Sequence, residues 1–289
     1  NSIATWLAKQ SSFNIGLLID MSDESAYMNP FFYHIIVGIE SVIGPLKYEM
    51  TVANIQTDDP ERHFLKRLVL SGRIDGLVTN NAILTDEMAE QLEKLQFPFI
   101  SMGEYKKFSI PWVDFDNEEG GRMLTDHLLS QGYGNIAFVG GERGEALFTK
   151  RHLGYTQALR QAGKPLHPAW TVNGIADENV GYDAVSALLQ ADDPPDAVVC
   201  MSNHVAFGAL KAAVKANVQV PGQLGIATFD DFPFSPHTSP PLTSLYINTF
   251  ELGKAAAAML IERIQNPELP RRSLLLRPEI IVRGSTARH

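Results

Sequence analysis

The sequence predicts an α/β fold of two similar, doubly wound parallel-sheet lobes joined by several crossovers, and three observations predict it. A strand-and-helix series occurs twice in the same order: residues 13–20 (FNIGLLID) are echoed by 134–141 (GNIAFVGG), 73–80 (RIDGLVTN) by 195–203 (PDAVVCMSN), and 97–102 (FPFISM) by 224–229 (LGIATF). Each run is short, apolar and rich in β-branched residues, as a strand buried on both faces must be. A helix-period pattern separates each run from the next, which parallel strands require of their connections. Parallel sheets bind ligands at the carboxyl ends of their strands, so two such lobes predict a small molecule held between them.

The elements follow in order. After the first strand, Asn29 and Pro30 read as an N-cap and a first-position proline, and Phe31, Ile35, Ile39 and Val42 recur on one helical face. A strand spans about residues 49–55. Asp58, Asp59 and Pro60 open a helix carrying Phe64, Leu65, Leu68 and Val69, which Gly72 ends. Thr85 opens a third helix, with Met88, Leu92 and Leu95 aligned. Residues 112–115 are extended, and a helix capped at Asn117 runs towards Ser130, where the segment 131–135 (QGYGN) stops it. In the second series the helical faces are Tyr155, Ala158, Leu159 and Ala162, ended by Gly163; Val180, Ala184, Val185, Leu188 and Leu189; and Phe207, Leu210 and Val214. Beyond Pro240 and Pro241 come a strand at 243–247, an Ala-rich helix over 249–265, and extended apolar residues from 274 to 282. These late elements have no counterpart at the same place in the first series, so they return to complete the lobes, with crossings near Val113, Leu242 and Leu274. Several strands at such a junction form a hinge that permits closure and restrains twisting.

The composition fits two cores of ordinary size, since 289 residues at 45% hydrophobic suffice for lobes of roughly 100 to 150 residues each. No apolar run approaches the roughly 20 residues that cross a bilayer. The opening NSIATWLAKQ lacks the charged and apolar regions of a secretory signal, which disfavours export, although a removed signal would leave no trace. Cys200 is the single cysteine and lies in an apolar strand, so no intrachain disulfide forms and a reducing compartment fits. It reads as structural rather than nucleophilic. A net charge of −9 opposes polyanion binding by this segment, because phosphate contacts draw on Lys and Arg. The late arginines (Arg271, Arg272, Arg277, Arg283 and Arg288) are scattered among apolar residues and read as a solvated face.

The usual chemical motifs are missing. Gly140, Gly141 and Gly144, interrupted by Glu142, do not have the spacing of a phosphate loop. The eight histidines lack the i, i+4 pairing or cysteine partners of metal sites, so His127 and His204 read as core or rim residues and no metal is expected. Asp114 with Asp116, and Asp230 with Asp231, could divide acid and base roles; equally, they could accept from ligand hydroxyls or cap helices. No nucleophile or base stands beside them. The reading is binding, with no catalytic residue and no cofactor.

A resemblance adds to this. NPFFYHIIVGIE (29–40), DDPERHFLKRLVLSGRIDGLV (58–78), VDFDNEEGGRMLTDHLLSQGYGNIAFVGG (113–141), RHLGY (151–155), VPGQLGIATFDD (220–231), SPPLTSL (239–245) and PEIIVRGST (278–286) form an ordered series. Over essentially the whole chain it resembles the effector-binding core of the LacI/GalR family of bacterial transcription regulators. The resemblance implies a periplasmic-binding-protein-like fold, a cytoplasmic homodimer, and operator DNA bound through a helix-turn-helix headpiece that is not in this sequence. It implies three parts: residues 1–12 as the remnant of a hinge helix and linker, 13–113 plus 246–273 as the amino-terminal lobe, and 114–245 plus 274–289 as the carboxy-terminal lobe. Leu7 stands where the family places a leucine that enters the minor groove. The implied effector-binding residues are Asp20, Phe31, Phe32, Arg151, Asn203, Asp230 and Phe250. Their chemistry agrees: Asp and Asn exchange hydrogen bonds with hydroxyls, Arg offers a planar fork, and Phe gives an apolar wall. One of the two adjacent phenylalanines reads equally well as core.

The sequence departs from the family pattern in three places. The loop at 21–28 is longer, Gly103 and Glu104 stand where many members have Asp-Arg, and His204 follows Asn203 where Asp is usual. Glu104 accepts hydrogen bonds and cannot clamp an anion, which favours a neutral mono- or disaccharide as effector. Two alternatives remain: an exported sugar-binding protein serving a transporter, and an enzyme using Asp114, Asp116 or Asp230 on a bound sugar.

Overall fold

Two six-stranded sheets carry the fold, and their strands follow the same order. They are seen in a computed structural model that describes residues 11–21, 30–55 and 63–288. The chain divides into two units, residues 1–115 with 248–276 and residues 116–247 with 277–289.

The first unit contains β1 (Asn14–Ile19), α1 (Pro30–Ile43), β2 (Glu49–Asn54), a π-helical segment (Leu65–Leu70), β3 (Gly76–Asn80), α2 (Asp86–Lys94), β4 (Phe99–Met102) and β5 (Trp112–Phe115). The second contains α3 (Asn117–Ser130), β6 (Ile136–Val139), α4 (Ala146–Gln161), β7 (Thr171–Val172), α5 (Glu178–Leu189), β8 (Ala197–Cys200), α6 (Asn203–Lys215), β9 (Gly225–Phe229) and β10 (Thr243–Tyr246). The chain then returns to the first unit for α7 (Thr249–Gln265) and β11 (Leu274–Leu276), and ends in the second with β12 (Glu279–Ile281).

The sheet orders are β2-β1-β3-β4-β5-β11 and β7-β6-β8-β9-β10-β12. The three echoed sequence runs are therefore the equivalent strands β1 and β6, β3 and β8, β4 and β9. Neighbouring strands run parallel except β10 and β12. The late elements do have counterparts, contrary to the sequence reading: β10 takes the place of β5, and α7 packs on α1 as α3 packs on α4. The equivalence is hidden because the two units exchange these helices, so equivalent pieces lie at different distances along the chain. The extended run from 274 to 282 is two strands in different sheets, interrupted at Arg277 and Pro278. Leu274–Leu276 pair with β5 and so fall in the first unit, where the sequence reading had put them in the second.

Alternate residues of the central strands enter opposite cores. Ile136 and Phe138 of β6 join the cluster under α3 and α4, while Ala137 and Val139 join the one under α5 and α6. Ala197 and Val199 of β8 divide from Val198 and Cys200 in the same way. Burial on both faces is why these strands read as unbroken apolar runs. Burial also pushes the Cys200 thiol far above its usual range, leaving it unreactive. One predicted face is wrong: Val214 of α6 is 71% exposed, and the buried side is Val205, Ala206, Ala209, Leu210, Ala212 and Ala213. Small residues let α6 lie close to its neighbours, which a search for large apolar residues overlooks.

An aspartate fastens the entry to the first strand of each unit. The Asp75 carboxylate, just ahead of β3, accepts from Ser12 N at 2.9 Å, Ser12 Oγ at 2.8 Å, Phe13 N at 3.0 Å and the Ser11 hydroxyl. Asp196, just ahead of β8, accepts from Gly134 N at 3.1 Å and Asn135 N at 2.8 Å. In both places the carboxylate satisfies backbone donors before the ladder begins.

The three main helix pairs cross at reciprocal glycines. A methyl group at Gly154 of α4 would lie 1.8 Å from the Glu118 carbonyl oxygen of α3, and one at Gly121 of α3 would lie 2.0 Å from the Arg151 oxygen of α4. Gly38 and Gly253 face the carbonyls of Phe250 and Ile35 in the same manner where α1 meets α7, and Gly181 and Gly208 face those of Val205 and Glu178 where α5 meets α6. Because the obstacle is backbone, it cannot turn aside as a side chain can. Gly154→Val should therefore destabilise the chain by about 3 kcal/mol in urea unfolding followed by circular dichroism. Gly222→Ala, whose new methyl would meet nothing closer than 3.4 Å, should change stability by less than about 0.5 kcal/mol.

Candidate functional site

Arg151, Asn203 and Asp230, drawn from three distant parts of the sequence, converge in the second unit at the carboxyl ends of β8 and β9. Arg151 lies in the second turn of α4 and is buried. Its Nε donates to Asn117 Oδ1 at 3.0 Å, its Nη1 to the Met201 carbonyl at 2.7 Å, and its Nη2 lies 3.5 Å from Asp230 Oδ1. The guanidinium stacks 4.2 Å above the Phe229 ring, a cation–π contact that fixes its plane. The fork is thus held from several sides with one end against a carboxylate.

Asp230 follows β9 with φ at +69°, a conformation that favours glycine and costs a side-chain-bearing residue energy unless its surroundings enforce it. Asn203 supplies part of that enforcement. Its fully buried amide donates to the carbonyls of Phe229 at 3.1 Å and Asp230 at 2.5 Å, and accepts from the Ser235 hydroxyl. The amide thus shapes the turn that carries Asp230. Burial holds the Asp230 carboxyl above its ordinary value, and the Arg151 charge opposes that rise.

The other four expected residues belong to the first unit. Asp20 is half-buried just past β1 and lines a concavity with Ile55, His63 and Thr85. Phe31 and Phe32 are half-buried in the first turn of α1, and Phe250 is half-buried in the first turn of α7. The α1–α7 crossing brings the Phe250 backbone against Gly38. Leu7 lies outside the described residues.

Sequence reasoning missed Asn117, Met201, Phe229 and Ser235. It read Asn117 as a helix cap, whereas Asp116 is the cap, accepting from Glu119 N at 2.9 Å, and Asn117 turns inward to Arg151. Two adjacent residues able to cap were in the sequence, so the choice between them was the only signal. For Ser235 there was none. The arginine tail is also not uniformly solvated: Arg283 grips Asp231 with both terminal nitrogens, at 2.7 and 2.9 Å, and Arg271 pairs with Glu93 at 2.7 Å.

The remaining acids serve the backbone. Asp114 accepts from Glu104 N at 3.1 Å and Phe115 N at 2.8 Å. Among the described residues, no group of three or more His, Cys, Asp or Glu is placed to hold a metal ion, and no helix is long and apolar enough to cross a membrane.

Known proteins share this fold. A family model described as a periplasmic binding protein-like domain matches residues 125–286. The HTH-type transcriptional repressor PurR of Aliivibrio salmonicida (strain LFI1238) is 29% identical over 99% of this chain and 85% of its own length. Catabolite control protein A of Priestia megaterium is 30% identical over 97% of this chain and 83% of its own. A crystal structure of a LacI family transcriptional regulator from Enterococcus faecium with bound ribose superposes with a TM-score of 0.79 at 27% identity, covering 95% of this chain and 98% of the other. These similarities run through both units and both sheets: the chain belongs to the LacI family of transcriptional regulators, and it is the periplasmic-binding-protein-like, ligand-sensing core of one.

Proposed function

We propose that this core senses a neutral mono- or disaccharide whose hydroxyls are bound by Arg151 and Asp230. The observation that carries the reading is the pairing of those two side chains at 3.5 Å, beyond the ends of β8 and β9. A fixed guanidinium beside a carboxylate sets a planar donor next to an acceptor, which is what neighbouring sugar hydroxyls require. The ribose bound to the Enterococcus faecium relative supports a sugar. Asp20, Phe31, Phe32 and Phe250 complete the effector site in this reading, and Asn203 acts through the backbone of Asp230.

Effector binding controls operator DNA through a headpiece joined to residues 1–12, with Leu7 entering the minor groove, in a cytoplasmic homodimer. Only a difference in affinity between two states of the protein can shift such an equilibrium. A coupling of about 1–3 kcal/mol would change operator affinity about 5- to 150-fold.

Ribose, other neutral monosaccharides, disaccharides and their phosphates should be compared by thermal unfolding. A neutral sugar at about 100 times its Kd should raise the Tm by about 5 °C, and the phosphates should not. Stabilisation by phosphorylated sugars alone, or by none of the panel, would reject the sugar reading. Arg151→Lys keeps the charge and loses the fork, so the stabilising sugar should bind about 10- to 100-fold more weakly in calorimetry. With a headpiece attached, Arg151→Ala should abolish the effector response in a gel-shift titration while operator binding persists.

The pH dependence follows from Asp230. Its folded value lies above the ordinary 3.8, and sugar hydroxyls donate to the ionised form. Affinity should therefore be lost as the pH falls through that raised value, above the range in which ordinary carboxylates titrate. Asp230→Asn should remove this dependence, and titration calorimetry across the acid range measures it.

A further inference from the structure

We propose that Arg283 is a positioning residue of the effector site: by gripping Asp231 it keeps the adjacent Asp230 in the conformation that meets Arg151. The inference rests on the reading of Asp230 as an effector contact.

Arg283 belongs to the segment after β12, more than fifty positions along the chain from the turn it holds. Its Nη1 and Nη2 reach the two carboxylate oxygens of Asp231, and Nη1 also donates to the Leu242 carbonyl at 2.7 Å. The two side chains are only 16% and 12% exposed. A bidentate pair so sheltered from water is geometrically strict.

The arginine is itself held in place. Its backbone N donates to Thr243 Oγ1 at 2.9 Å, and that hydroxyl lies 3.0 Å from the Arg283 carbonyl. Two residues on, Ser285 Oγ accepts from Thr243 N at 2.8 Å and donates to the Ile226 carbonyl at 2.5 Å. Thr286 Oγ1 meets Thr243 Oγ1 and His127 Nε2, each at 2.7 Å. The fork is thus referenced to β9, β10 and α3, and its position cannot follow Asp231 if Asp231 moves.

Asp230 needs such a reference. At a φ of +69° its backbone stays put only when restrained on both sides. Asn203 holds the peptides on both sides of it through the carbonyls of Phe229 and Asp230, and Arg283 adds a second restraint on the side after it through Asp231. The adjacent acids are thereby divided, Asp230 to Arg151 and Asp231 to Arg283. Released from Arg283, the turn can relax to negative φ and carry the Asp230 carboxylate away from Arg151.

Asp231→Asn preserves shape while breaking the ion pair; Arg283→Lys, which keeps the charge and loses the fork, serves if the first variant does not fold. In a crystal structure of either, Asp230 should have left positive φ and its contact with Arg151; an unchanged Asp230 overturns the proposal. Ribose binding is then measured by calorimetry in the wild type, Asp231→Asn, Asp230→Asn and the double variant. We expect Asp231→Asn to weaken ribose about 10-fold when Asp230 is present and to have no further effect in its absence, because interacting positions are not additive. Equal losses in both backgrounds overturn the proposal, since they mean a general structural effect. Asp230→Asn that binds ribose as the wild type does overturns instead the reading of Asp230 as an effector contact. Should ribose not bind the wild type, the neutral sugar that does takes its place in the cycle; should none bind, the sugar assignment fails, and the crystal structure alone decides whether Arg283 positions Asp230.

Discussion

The candidate site depends first on how closely α3 and α4 can approach. Their contact has a simple rule: each helix presents a carbonyl at one position and a glycine three residues later, and each glycine receives the other helix's carbonyl. Glu118 and Gly121 stand on one side, Arg151 and Gly154 on the other. Residues three apart share a helical face, so the two crossing points stack along one seam. The carbonyl received by Gly121 belongs to Arg151 itself, which ties the height of that arginine above the sheet to the absence of a side chain. Ile35 with Gly38, Phe250 with Gly253, Glu178 with Gly181 and Val205 with Gly208 repeat the rule in the other two pairs. By this correspondence Ile35 of α1 occupies in the first unit the place that Arg151 holds in the second. An apolar residue at the one position and a cation at the other show how a duplicated frame came to carry different chemistry.

Beyond that seam, the site is made of groups that hold one another in place. The fork of Arg151 is occupied by Asn117, Met201 and Phe229 before any ligand arrives, and the turn at Asp230 is enforced by Asn203. Buried polar groups that lack partners are costly, so this mutual satisfaction is what allows a charged pair to sit in so dry a place. It also means that the donor and acceptor are aimed in advance, and less ordering is left to be done on binding.

Much of this was legible in the sequence, for reasons that can be stated residue by residue. The paired strands announced themselves because β1, β3, β6 and β8 are buried on both faces and so read as apolar runs. The helix at Thr249–Gln265 was legible in its approximate bounds from its Ala-rich run. What could not be read was that Leu274–Leu276 join the first sheet, because pattern gives the type of an element and not the sheet that receives it. The buried face of α6 escaped because alanines carry it. At the site, Arg151, Asn203 and Asp230 were marked by resemblance, but the partition of Asp230 from Asp231 was not. That partition depends on Arg283, whose charge in an apolar tail looked like solvation and is in fact a tether.

The exchange of elements bears on how such a chain can be divided or recombined. The first unit takes its α7 and β11 from beyond the end of β10, and the second takes β12 from the far terminus. No single cut separates the six strands of one sheet from the six of the other. A hybrid regulator that borrows one lobe from a relative would have to be spliced at three seams, near residues 115, 247 and 276, rather than joined once in the middle.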